Sequence, residues 1–232
     1  MLACTAPAEA LPIERHNGER RTSRVHAVSV PLSIQRLIAY ENAEAGGYWC
    51  EVAPDIVTIP FWRARFCRTL IEAAETVGGF QPYGRDVLDN SAPGQELRID
   101  RIDRSFAEHF EADFRRRILP IVRTHWWPLK AGKIRMPFVL RYSPDAQASL
   151  DPHHEAAMVS FAMMLNADYR GGLLTFPRQH WDSHAVAVGT LVAFPSRVSH
   201  VHWVTPVTEG TRYAMTVWLA PSDHPPTDAI VP

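Results

Sequence analysis

At 232 residues, with 46% hydrophobic and 21% charged residues, the chain has the make-up of one soluble globular domain with a modest N-terminal extension. A formal net charge of −1 at pH 7 gives no reason to expect a nucleic-acid or membrane partner. No apolar stretch approaches the ~20 residues needed to span a bilayer, and the opening MLACTAPAEALP lacks the basic start and long apolar core of a secretory signal.

Residues 1–50 are read as a partly mobile N-terminal arm and residues 51–232 as the folded domain. Up to about residue 30 there is no sustained periodicity, and Glu14, Arg15, Glu19, Arg20, Arg21 and Arg24 mix charges. Cys4, Cys50 and Cys67 are odd in number and widely spaced, which argues against a disulfide framework or zinc cluster and fits a reducing cytoplasm with buried thiols. Residues 55–60 read as a short strand leading into a helix over 61–76, with Phe66, Leu70, Ile71 and Ala74 as its apolar stripe and Gly78-Gly79 as its stop. A second helix is marked by Phe106, Phe110, Phe114 and Ile118, capped by Asp103 or Ser105 and ended or kinked at Pro120. Trp126-Trp127 follows it and reads as core.

From Arg135 onward the chain changes to short β-rich runs separated by Pro, Gly and Asn/Asp: 136–142, 158–165, 173–176, 185–188, 190–194, 201–204 and 211–219. Strands at this spacing suggest a sandwich or barrel. With two N-terminal helices packed on the sheet, the fold class is α+β.

The chemistry concentrates in that half. Two histidines and one carboxylate can occupy one face of an iron(II) octahedron and leave the opposite positions open. His153 and Glu155 would point the same way from a strand, with His154 facing away, and His202 follows in a later strand-like stretch. Arg212 then offers a guanidinium whose fork of donors suits a dicarboxylate cosubstrate. Its spacing to Arg212 favours His202 over His200 as the distal ligand. A lone His-x-Glu is common by chance; it is the conjunction that reads as an iron(II)- and 2-oxoglutarate-dependent oxygenase. His180 and His184 flank Trp181 and read as a solvated loop rather than a second metal site. Gly171 and Gly172 read as turn residues that touch no ligand.

The run Phe138 to Glu155 (FVLRYSPDAQASLDPHHE) resembles the catalytic domain of procollagen lysyl hydroxylases, as do Leu165–Gly172 (LNADYRGG) and Val201–Tyr213 (VHWVTPVTEGTRY). More broadly the chain is similar, over about residues 50–220, to the prolyl/lysyl hydroxylase branch of the 2-oxoglutarate oxygenases. The resemblance implies a double-stranded β-helix (jelly roll) supported by N-terminal helices. It implies iron(II) on His153, Glu155 and His202, and Arg212 on the distal carboxylate of 2-oxoglutarate, with Tyr142 lining the same pocket. Dioxygen would be consumed, an unactivated C–H bond hydroxylated, and succinate and carbon dioxide released, with ascorbate as the rescuing reductant. The substrate class it implies is a small molecule or peptide, a lysine-like amino-acid or peptidyl side chain first. For such an ammonium, Asp86, Asp89, Glu96 and Asp100 are the candidate carboxylates.

Two departures stand out. Glu155 replaces the usual Asp, and Met164 stands near a position where some prolyl hydroxylases carry a cosubstrate-binding Tyr. Thr190, Thr216 or Tyr142 are the candidates to stand in; alternation puts Thr216 on the same strand face as Arg212, Ala214 and Trp218. The competing readings are an oxygenase that desaturates or cyclises a small metabolite, and a metal-binding jelly roll that needs no 2-oxoglutarate. The second has no use for a guanidinium at residue 212.

Overall fold

A computed structural model describes residues 30–82, 95–126 and 132–221. Five α-helices occur among them: α1 (Leu32–Ala39), α2 (Ala64–Val77), α3 (Ile99–Ile102), α4 (Arg104–Arg117) and α5 (Leu119–His125). The strands are β1 (Cys50–Ala53), β2 (Ile56–Pro60), β3 (Gln81–Pro82), β4 (Gln95–Arg98), β5 (Gly132–Tyr142), β6 (Leu150–His153) and β7 (Val159–Met164). They continue with β8 (Tyr169–Gly171), β9 (Leu174–Phe176), β10 (Trp181–Asp182), β11 (Thr190–Pro195), β12 (His202–Val204), β13 (Val207–Gly210) and β14 (Arg212–Pro221).

The large sheet runs β1-β2-β11-β7-β14-β5-β4-β3, and a smaller sheet runs β10-β9-β12-β6. β13 and β8 form a separate two-stranded ladder. All of these pairings are antiparallel. This is the double-stranded β-helix with supporting helices that the sequence implies.

Alternation along the long strands divides the core in two. Val139, Phe161, Met163, Leu191, Ala193, Met215 and Val217 leave one face of the large sheet and pack with the helices. Phe138, Leu140, Tyr142, Met164, Val192, Phe194 and Ala214 leave the other face and meet Leu174, Phe176 and Val204 of the small sheet. The chemistry lies on this second, inner face.

The helices form where the apolar spacing predicts them. Phe106, Phe110, Phe114 and Ile118 are fully buried, and the Asp103 carboxylate caps α4 by accepting from the Phe106 N–H at 2.8 Å. Pro120, in the first turn of α5, marks the break between the two helices. α2 buries Phe66, Leu70 and Ala74 and ends at Gly78, whose φ of 64° no side chain opposes.

Several expectations need correction. Residues 30–50 do not all belong to a mobile arm: α1 buries Ile34 and Leu37 in the helix-side core. Tyr40 ties the end of α1 down, donating to Asp113 at 3.1 Å and accepting from Trp62 at 2.8 Å. The remainder of the arm, residues 1–29, lies outside the described residues. Residues 185–188 form no strand; the Asp182 carboxylate accepts from the His184 N–H at 2.9 Å and turns the chain there. Cys67 is buried as expected, whereas Cys50 is exposed on edge strand β1; Cys4 lies outside the described residues. Trp126 packs on the helix-side core and donates to Asp55 at 3.0 Å; Trp127 lies outside the described residues. No helix among the described residues is long and apolar enough to cross a membrane.

Candidate metal and cosubstrate site

Strands β6 and β12 are neighbours in the small sheet, and their register sets His153 directly opposite His202. The two rings lie with centroids 4.4 Å apart. The spacing predicts His153 and Glu155 on one strand, but β6 ends at His153 and Glu155 leaves the chain just beyond it. The three side chains still converge: one ligand atom from each of His153, Glu155 and His202 falls within 4.8 Å of the others. His202 Nε2 is 3.3 Å from Glu155 Oε1.

The outer nitrogens of both rings are already committed. His153 Nδ1 lies 2.7 Å from the Asp151 carbonyl, and His202 Nδ1 lies 2.9 Å from the His200 carbonyl. A carbonyl only accepts, so each Nδ1 carries a proton, which leaves each Nε2 as the nitrogen available to the cluster. That is the outer-shell arrangement that orients histidine ligands at metal centres. His202 stacks on Phe176 at 5.1 Å and meets Phe194 edge-on at 4.7 Å, so its imidazole is held in the inner apolar core.

Glu155 completes the set. Burial would raise its pKa, but the hydrogen bond from His202, the nearby His202 and His153 rings, and the Ser160 hydroxyl together hold it below the ordinary carboxylate value. Its Oε2 is buried with no hydrogen-bond partner. An anionic oxygen left bare beside two imidazole rings suits a divalent cation.

The other histidines separate from this cluster. His200 turns away, its Nε2 at 3.2 Å from the Pro54 carbonyl and its Nδ1 at 3.0 Å from Ser199 Oγ. His154 is exposed. His184 is exposed and paired with Asp182 at 2.6 Å, and His180 joins no ligand group. Among the described residues no other trio of His, Cys, Asp or Glu converges.

Arg212 opens β14 and sits opposite Tyr142 of β5 in register. It is only 2% exposed, and its guanidinium lies 5.0 Å from the Tyr142 ring centroid. Burial raises the Tyr142 pKa, opposed by the charge of Arg212 and a hydrogen bond between the two side chains. Two guanidinium nitrogens, Nε and Nη1, are buried without partners. No carboxylate among the described residues pairs with Arg212.

Gly172 has a role that the turn reading missed. Its φ is +62°, and a Cβ there would come within 2.8 Å of Arg212 Cδ and 2.9 Å of Val207 Cγ2. The missing side chain is the space that Arg212 occupies. Thr216, opposite Phe138 in register, shares the inner face, as does Thr190 by alternation with Val192. Of the three candidates to replace a tyrosine at Met164, Tyr142 is the one at the guanidinium. Met164 itself is buried in the inner core, opposite Ala214. Ser160 and Asn166, which support Glu155 and the Arg212 backbone, carry no signal that marks them from sequence alone, although Asn166 falls inside the Leu165–Gly172 motif.

Residues 137–220 match the 2OG-Fe(II) oxygenase superfamily. The multifunctional procollagen lysine hydroxylase and glycosyltransferase of Caenorhabditis elegans is 30% identical over 184 residues, covering 74% of this chain and 24% of that protein. Human procollagen-lysine,2-oxoglutarate 5-dioxygenase 1 is 30% identical over 191 residues, covering 78% of this chain and 26% of that protein. The chain thus spans about a quarter of the length of these curated relatives. Among solved structures, a Pseudomonas putida prolyl-4-hydroxylase aligns with a TM-score of 0.54 at 22% identity, over 81% of this chain and 98% of that one. A Trichoplax adhaerens prolyl hydroxylase solved with a hypoxia-inducible-factor peptide aligns with a TM-score of 0.52 at 15% identity, over 81% and 88%. These two likenesses corroborate the fold. Sequence match and fold agree: the chain carries a 2OG-Fe(II) oxygenase domain and is homologous to the catalytic region of the procollagen lysine hydroxylases.

Proposed function

We propose that this chain is an iron(II)- and 2-oxoglutarate-dependent dioxygenase that hydroxylates an unactivated C–H bond of an amino-acid or peptidyl side chain, lysine-like first. The observation that carries the reading is the buried guanidinium of Arg212, which has no carboxylate partner among the described residues and borders the same inner core as His153, Glu155 and His202. A buried cation is tolerated only when something compensates it. Iron(II), Arg212, Glu155 and the two carboxylates of 2-oxoglutarate together balance their charges, which none of them does alone.

His153, Glu155 and His202 would hold the metal, and Arg212 with Tyr142 the distal carboxylate. Iron(II) bound there supplies the activation of dioxygen, with 2-oxoglutarate as the co-oxidised reductant and ascorbate as the agent that restores over-oxidised iron. The protein's own tasks are positioning and the exclusion of water. Phe176 and Phe194 serve the second by packing on His202.

Two points support the lysine-like substrate. The relatives at 30% identity are named for procollagen lysine. Of the candidate carboxylates, Asp86 and Asp89 lie outside the described residues, and Asp100 is engaged with Arg98 at 2.6 Å. Glu96 stands opposite Leu140, so alternation puts it on the inner face. Burial raises its pKa, against the opposing charges of Arg98 and Arg101.

The test is anaerobic addition of iron(II) and 2-oxoglutarate, followed by oxygen and a panel of free amino acids and lysine-containing peptides. A visible metal-to-ligand charge-transfer band and a mass gain of one oxygen on a lysine compound are expected. Absence of the band would sink the dioxygenase reading; oxidation only of substrates lacking an amine would sink the lysine reading alone.

A further inference from the structure

Among the described residues no carboxylate pairs with Arg212, so beyond its contact with Tyr142 its direction depends on the backbone that carries it. Both flanks of that backbone are tied to one side chain. Asn166 lies two residues past the end of β7, in the loop that leads to β8. Its Oδ1 accepts from the Tyr213 N–H at 2.7 Å, and its Nδ2 donates to the Thr211 carbonyl at 2.7 Å. The same Nδ2 also donates to Asp168 Oδ1 at 2.6 Å, which fixes the orientation of the amide. The neighbouring Leu165 N–H donates to the Tyr213 carbonyl at 3.0 Å. Thr211 precedes the first residue of β14, so the amide takes the place of a ladder partner just where the strand begins.

We propose that Asn166 is a positioning residue that fixes the Arg212 guanidinium by clamping the main chain on both sides of it, and thereby sets the preference for a dicarboxylate cosubstrate. This rests on the 2-oxoglutarate reading of the site. The chemistry requires an amide: it must donate to Thr211 and accept from Tyr213 through one short planar group. An aspartate lacks the donor, and a glutamine is one methylene longer. Gly172 and Val207 crowd Arg212 Cδ from another side, so a guanidinium released from its backbone anchor has little room to find the same pose again.

The experiment uses the full chain loaded with manganese(II), a redox-silent stand-in for iron(II). 2-Oxoglutarate and 2-oxopentanoate, which share a chelating head and differ in the distal carboxylate, are titrated calorimetrically. The wild type should favour 2-oxoglutarate strongly. Asn166→Ala should weaken 2-oxoglutarate by about 10- to 100-fold, the range for outer-shell partners, while leaving 2-oxopentanoate nearly unchanged. In an Arg212→Ala background the same substitution should have no further effect. Hydrogen exchange at the Tyr213 amide should accelerate in Asn166→Ala. Asn166→Asp, which keeps the acceptor and loses the donor, should lie between and serves if the alanine variant does not fold. Asp103→Ala, which removes the α4 cap and touches neither strand, controls for loss of stability alone. Equal weakening of both ligands, or an unchanged ratio, would overturn the positioning role. A wild type with no preference for the dicarboxylate would instead overturn the 2-oxoglutarate reading beneath it.

Discussion

Arg212→Met should make the cosubstrate-free protein more stable while abolishing its response to 2-oxoglutarate. Methionine has a similar length and no polar atom, so the exchange removes two buried donors without opening a large cavity. Nε and Nη1 of Arg212 both lack partners, and each unsatisfied buried donor costs about 1–3 kcal/mol. Against this relief, the variant loses the contact of the guanidinium with the Tyr142 ring at 5.0 Å, worth about 0.5–2 kcal/mol. The hydrogen bond between Tyr142 and Arg212 adds a further loss of about 1 kcal/mol. The net expectation is a gain of roughly 1–3 kcal/mol, in line with the ~1–4 kcal/mol seen when buried ionic groups give way to apolar ones. For a domain of this size each kcal/mol moves Tm by about 2–4 °C. The assay is thermal unfolding of metal-free protein without any 2-oxo acid, repeated with manganese(II) and 2-oxoglutarate. The wild type should gain stability from the cosubstrate by mass action, and the variant should gain none from it. If Arg212→Met unfolds below the wild type in the metal-free state, the guanidinium is satisfied internally and is not waiting for a ligand.

The metal set gives a sharper pattern. His153→Ala, Glu155→Ala and His202→Ala should each lose stoichiometric iron(II) after anaerobic loading and desalting, while His154→Ala and His200→Ala keep it, because His154 is exposed and His200 faces Pro54. The paired glycines should separate stability from binding. Gly171→Ala, whose Cβ would sit 2.0 Å from the Pro206 carbonyl oxygen, should lower Tm most, whereas Gly172→Ala should also weaken 2-oxoglutarate per folded molecule by crowding Arg212. Positive φ at both positions adds about 1–2 kcal/mol of strain, and the comparison is read by thermal unfolding alongside calorimetry. Burial pushes the Cys67 thiol up from 9.0 to about 12, so in native protein at pH 8 a thiol reagent should modify exposed Cys50 and spare Cys67. The sign follows: the neutral thiol is the form that folding favours, so this contribution is full below pH 9 and is lost as pH climbs towards 12. Rapid native labelling of Cys67 would contradict its placement in the core.

The long strands were legible because their alternation is long enough to be unambiguous. Phe138, Leu140 and Tyr142 against Val139 show it on β5, and Ala214 against Met215 and Val217 shows it on β14. The phenylalanines of α4 were legible for the same reason, at a different period. The short strands were not. β8 and β13 hold three and four residues, too few to show any period, and they exist because each supplies the other's ladder. α1 does not stand out in the sequence because only Ile34 and Leu37 of this short helix are buried, and their burial depends on α2 lying beside them. Residues 185–188 misled in the opposite direction: their apolar composition suits a strand, but the Asp182 carboxylate had already turned the backbone.

Within the site, legibility follows chemistry more than geometry. Histidine, carboxylate and buried arginine are each uncommon on an inner β face, so their coincidence stands out even though Glu155 lies off the strand that was expected to carry it. Asn166 and Gly172 escape notice because an Asn and a Gly in a loop are ordinary, and their significance appears only when that loop is folded back onto Arg212. The same asymmetry explains why the site departs from the rules that govern the remaining core. On the helix side buried charge finds partners: Asp113 receives Tyr40, Arg116 and Arg117. At the site, Glu155 Oε2 and two nitrogens of Arg212 are buried and bare. A fold that pairs the buried charge of Asp113 and leaves the opposite charges of Glu155 and Arg212 bare has placed instability where a cation and a dianion can relieve it.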